Sequence, residues 1–191
     1  MKLKLPDIDI DVSNRSKVLE HFASSDASLD GLKKHNTGVY FTDIPVNPIT
    51  NTSSIDYKEA EDRGYFKLDI LNVSLYKDIK SEDHLNTLLG KEPLWDLLTE
   101  PEFSNQLFHV GEHSSVLQKT RPKNIEQLAA VLAMIRPAKR NLIGKSWPDI
   151  MKDVWTKPSD GSYYFKKAHA VAYAHAVVVQ MNLICEKLQN D

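Results

Sequence analysis

Residues 6–12 alternate strictly between carboxylate and aliphatic side chains: Pro6-Asp7-Ile8-Asp9-Ile10-Asp11-Val12. A period of two predicts an extended strand, with Asp7, Asp9 and Asp11 on one face and Ile8, Ile10 and Val12 packed on the other. Ser13-Asn14 then offers a cap for a short helix over 15–22, with Val18, Leu19 and Phe22 turned inward. Residues 24–30 and 47–54 are polar and read as loops. They flank a β-rich run, Gly38-Val39-Tyr40-Phe41, closed by Pro45 and Pro48. Tyr65-Phe66-Lys67-Leu68-Asp69-Ile70-Leu71 predicts a second strong strand whose only charges, Lys67 and Asp69, share a face. Short helices are expected over 83–89 and 94–100, and a strand over 106–110. Asn124 caps a helix over 125–136, where Ile125, Leu128, Ala129, Leu132 and Ile135 recur at helical spacing before Pro137. A helix over 147–155 and a long Ala/Val-rich helix over 166–188 complete the pattern. The expected fold is α+β, with strands in the first half and helices in the second.

The 41% hydrophobic and 26% charged fractions fit a folded globular chain and argue against a disordered tail. At 191 residues one compact domain is expected, with two small lobes as the alternative. The single Cys185 excludes an intrachain disulfide and a Cys-rich zinc site, and suits a reducing cytoplasm. No apolar run is expected to reach bilayer length, and Met1-Lys2-Leu3-Lys4 leads into a strand rather than a signal peptide, so no membrane partner is expected. Charge divides the chain. Residues 1–113 hold 12 Lys/Arg against 20 Asp/Glu, whereas 114–191 hold 12 against 6. The expected organisation is an acidic α+β region over 1–113 and a basic helical region over 114–191. A basic half can follow a phosphate backbone while an acidic half gathers divalent cations; the competing reading is that the two halves simply attract each other.

Two-metal catalysis uses a few carboxylates on neighbouring strands to hold divalent ions about 3.5–4 Å apart. Asp7 and Asp9 form a D-x-D pair, and Asp69 on the second strong strand is the natural third ligand. Such oxygen donors suit two Mg²⁺ ions, with Mn²⁺ as substitute. The plainer reading is a set of solvated strand carboxylates, since the tripeptide is frequent.

The blocks around these residues narrow the choice. Pro6 to Val12, followed by Arg15, Val18 and Leu19, resembles the P-D-[FI]-D-[VI]-D-F…R…V-[IL] block in the palm of the bacterial replicative DNA polymerase III alpha subunit, the C-family polymerases. Phe66 to Leu71 resembles that family's [VL]-K-[FIL]-D-[FIL]-L strand. Arg121-Pro122, then Leu128 to Pro137, is similar to its R-x-x-P, helix, A-L-x-R-P-G block. Phe165 to Ala174 is similar to F-N-K-S-H-A-x-A-Y-A, and Lys34-His35-Asn36-Thr37-Gly38-Val39 more distantly to K-H-A-G-G-V. The resemblance implies a polymerase-beta-like nucleotidyltransferase palm, a mixed sheet backed by helices. It implies Asp7, Asp9 and Asp69 as catalytic metal ligands, Asp11 as structural, and Lys67 as a contact to primer or phosphate. The family's Gly-Ser phosphate motif, thumb and Arg-rich fingers helix have no counterpart here, and Ala138 and Ala168 replace a family Gly and Ser. Such a reduction points to a phage or mobile element and a bacterial host cytoplasm. It also points to a second polypeptide, or a host replisome protein, as partner.

The residues expected at nucleic acid are Lys67, Arg136, Lys139, Arg140, Lys166, Lys167 and His169. Lys145 extends this basic set, and Trp147, Trp155, Tyr163 and Tyr164 are near enough in sequence to stack on bases. A solvated face with core aromatics is the competing reading. His169 and Tyr173 share a helix face, and His35 and His169 both have a packing role as alternative. His109 and His113 lack the further ligands zinc would need. The expected function is therefore Mg²⁺ and DNA binding in replication or repair, with Mg²⁺-dependent nucleotidyl or phosphoryl transfer if an activity is retained. A non-catalytic polymerase mimic or scaffold, and a metal-dependent nuclease, are the rivals.

Overall fold

The computed structural model describes residues 8–160 and 162–190. It is α+β, and the chain divides into two compact units after Asp78, upstream of the charge boundary at residue 113. Asp7 lies outside the described residues.

The first unit is a five-stranded mixed sheet of β1 (Ile8–Val12), β2 (Ser25–Ser28), β3 (Lys34–Tyr40), β4 (Thr52–Asp56) and β5 (Leu68–Asn72). The order is β1-β5-β3-β2-β4; the outer pairs β1/β5 and β2/β4 are parallel, and the inner pairs antiparallel. The strands expected over 6–12 and 65–71 are β1 and β5, here direct neighbours, and the β-rich run from Gly38 falls in β3. β1 is an edge strand, and Ile8 and Ile10 keep 38% and 40% of their surface exposed. The expectation of a packed aliphatic face is corrected accordingly. Asn14 caps α1 (Arg15–Leu19) through the Lys17 amide, but the helix stops at Leu19. Phe22 is exposed and meets the Phe41 ring edge-on, with centroids 5.8 Å apart. The segments read as loops at 24–30 and 47–54 contain β2 and the start of β4. Ladder bonds, from β2 to β3 and from β4 to β2, decide their conformation over their weak strand propensity. Asp56 caps α2 (Tyr57–Asp62), accepting the Lys58 and Glu59 amides. The β2–β3 turn needs Gly31: its φ is +84°, and a Cβ there would stand 2.9 Å from the Ser54 carbonyl oxygen.

The second unit contains α3 (Glu82–Gly90), α4 (Pro101–Ser104), α5 (Ser114–Thr120), α6 (Ile125–Met134), α7 (Trp147–Asp153) and α8 (Lys167–Asn190), with 3-10 turns between them. Asn124 caps α6, accepting the Gln127 amide at 2.9 Å. Every residue of α6 from Leu128 to Met134 is buried, so this helix is enclosed on all sides and packs against α8. Residues 106–110 form turns rather than the expected strand. A strand needs a strand neighbour, and among the described residues this unit has none. The Gln180 amide fills that role, accepting from the Phe108 amide and donating to the Gln106 carbonyl. Among the described residues one helix, α8, is long and apolar enough by length and composition to cross a membrane, which corrects the expectation that none is. Half of its most apolar window is buried within the fold.

Candidate functional site

The acidic strand pair is set by register. Asp9 on β1 is paired with Asp69 on β5, and Asp69 with Gly38 on β3. Laterally paired residues share a sheet face, so the two carboxylates sit side by side with a glycine beyond them. Lys67, two residues before Asp69, lies on the same face.

Asp69 is 7% exposed. A carboxylate so placed needs partners, and it has two strong ones. The Thr37 hydroxyl donates to Oδ1 at 2.6 Å, and the Lys67 ammonium donates to Oδ2. Burial alone would raise the Asp69 pKa, but Lys67 and then Thr37 outweigh it and hold the carboxyl below the ordinary range. His35 Nδ1 lies 3.7 Å from Asp69 Oδ1, close enough to suggest an ion pair. That nitrogen, however, already accepts the Gly38 amide at 2.9 Å and the Thr37 amide at 3.3 Å. An acceptor nitrogen carries no proton, so His35 is neutral here and the contact is not a salt bridge. Burial and the neighbouring Lys67 charge push its pKa down, against Asp69. Asp11 stands apart from this network: the Tyr76 hydroxyl donates to it at 3.4 Å, and partial burial raises its pKa.

Of the expected triad, Asp9 and Asp69 are thus neighbours, while Asp7 lies outside the described residues. Among the described residues no cluster of three His, Cys, Asp or Glu side chains is assembled. Asp9 and Asp69 offer hard carboxylate oxygens, the donor type a divalent cation takes, and the Lys67 ammonium already rests on Asp69. The sequence reading placed Lys67 at phosphate or primer and gave no role to Thr37 or Gly38. The signal for that support was a glycine in the middle of a strand pattern, which marks close approach of another group.

The second unit brings two resemblance blocks together. The Arg136 guanidinium lies 5.2 Å from the centroid of Phe165, and His169 stacks on Phe165, centroids 6.3 Å apart at an interplanar angle of 13°. Tyr173 continues the cluster to Phe165 at 5.6 Å and to His109 at 4.3 Å. Arg136 Nε is buried with no hydrogen-bond partner among the described residues. His109 has a left-handed backbone, φ +62°, and lines a cavity of about 580 Å³ with His113 and Arg136. Its ring is partly solvent-facing, yet desolvation among the rings and the Arg136 charge push its pKa down.

The other basic residues divide by orientation. Arg140, Lys145, Lys166 and Lys167 are exposed, and Lys167 lies over the Trp155 ring at 5.9 Å. Lys139 points inward: it is 5% exposed and donates to the Asp153 carbonyl at 2.6 Å and carboxylate at 3.2 Å. Tyr163 is exposed, whereas Trp147, Trp155 and Tyr164 are half-buried.

No protein-family model and no curated protein matches the chain.

Proposed function

We propose that this protein is a reduced relative of the C-family polymerase palm that works in DNA replication or repair. It binds Mg²⁺ through Asp9 and Asp69 together with Asp7, and DNA through the exposed basic residues of its second half. The observation that carries the reading is the in-register pairing of Asp9 with Asp69 on adjacent parallel strands. Neighbouring carboxylates repel unless positive charge lies between or beside them, which favours a cation at such a pair. The donor set suits nucleotidyl or phosphoryl transfer, in which bound Mg²⁺ would supply charge neutralisation and activation of an oxygen nucleophile. The parts that grip duplex and triphosphate belong to a second polypeptide.

Calorimetric titration with Mg²⁺ tests this. Wild type gives a saturable heat that Asp9→Asn and Asp69→Asn each abolish. Equal, negligible binding by all three sinks the metal reading.

One observation favours a second reading, the non-catalytic mimic. The Lys67 ammonium neutralises Asp69 without any metal, so the strand pair can persist as a structural inheritance. Under that reading a pull-down from bacterial lysate recovers replisome proteins equally with wild type and the Asp69→Asn variant.

A further inference from the structure

Asp69 is never left bare, because the fold presses the protein's own cation onto it. Three features do so. Lys67 and Asp69 are two apart on β5, hence on one face, and their side chains are only 19% and 11% exposed. The Thr37 hydroxyl fixes the other carboxylate oxygen, which sets the orientation in which Oδ2 meets the ammonium. The lysine stem lies over Gly38, where a side chain would obstruct it. A Cβ at that position would stand 2.8 Å from Lys67 Cδ, 3.0 Å from Ala27 Cβ and 3.1 Å from His35 Nδ1.

A divalent ion arriving at the Asp9–Asp69 pair meets that ammonium. Two cations on one carboxylate repel strongly at such range, all the more where water is scarce. The ion can therefore take Asp69 fully only as Lys67 leaves it. We propose that Lys67 is a built-in competitor for the divalent ion at Asp69, so that metal binding and release of the Lys67 ammonium are one exchange. This rests on the metal reading above and adds its regulation. The exchange weakens metal affinity by the factor that separates the paired from the released lysine, and by linkage the metal weakens the pair by the same factor. It also sends a positive charge away from Asp69 at the moment the ion arrives. Removing the ammonium spares the ion that competition.

Mn²⁺ is the probe, followed by the electron paramagnetic resonance signal of the free ion in titrations of the full chain. The expected order is tighter binding by Lys67→Met than by wild type, by about tenfold or more, the worth of a charge-assisted hydrogen bond. Asp69→Asn binds none. Lys67→Gln serves if the Met variant fails to fold. A lysine-modifying ester supplies a measurement that needs no variant: Lys67 in wild type is acylated faster at saturating Mg²⁺ than without it. Equal Mn²⁺ affinity of wild type and both Lys67 variants, with binding still lost in Asp69→Asn, overturns the exchange and leaves the metal reading intact. So does an acylation rate that saturating Mg²⁺ leaves unchanged. Absence of Mn²⁺ binding in every variant overturns the metal reading and the exchange with it.

Discussion

Thr37 shows how much of the site depends on one hydroxyl. It donates at 2.6 Å to a carboxylate that is almost wholly withdrawn from water. Thr37→Val keeps the shape and deletes the donor, so the cost is that of leaving a buried charged acceptor short of a partner. We expect a loss of about 1.5–3 kcal/mol in urea unfolding, largely restored by Thr37→Ser. The neighbouring His35 is neutral for a reason that its sequence context does not reveal, since its Nδ1 faces two backbone donors in the β3 strand. Asp9 and Asp69 were legible because strict alternation and a matched lysine mark them. Their pairing was not, because register between distant strands is a tertiary property. Lys139 is the converse case. It lies among exposed basic residues in the sequence, yet the turn after Pro137 sends it inward to Asp153.

Among the elements, α6 was the plainest in the sequence and is the most enclosed in the fold. Its cap, its helical spacing and its terminating proline all agree, and agreement between local signals is what makes an element readable. Leu132 is fully buried at its centre. Leu132→Ala should lower stability by about 2–5 kcal/mol, read as a shift in the unfolding midpoint by circular dichroism. β2 and β4 were hidden for the opposite reason. Ser25-Asp26-Ala27-Ser28 and Thr52-Ser53-Ser54-Ile55-Asp56 have turn-like compositions and become strands only by hydrogen bonding to neighbours. Residues 106–110 looked like a strand because apolar residues flank a polar one, but among the described residues no strand partner exists there to use the pattern.

Over the whole molecule, charge and structure divide the chain at different places. Residues 79–113 are acidic but belong to the second unit, so its basic character comes from the stretch between Lys119 and Lys167. If that stretch meets DNA, reversing Lys166 and Lys167 together to Glu weakens binding. The slope of log affinity against log salt becomes shallower by roughly 2, as each lost phosphate contact retains its counterion. Fluorescence anisotropy across a salt series measures both. A different consequence follows from the side chains of α8. Gln180 holds the backbone at Gln106 and Phe108, Asn182 holds the Leu88 and Lys91 carbonyls, and Glu186 takes His84 and Lys80. The ribosome makes all of these clients before it makes α8. Residues 80–110 therefore leave the exit tunnel with their turns unsecured, and the unit closes only when 167–190 follow. Until then these backbone groups lack the side chains that satisfy them in the folded unit.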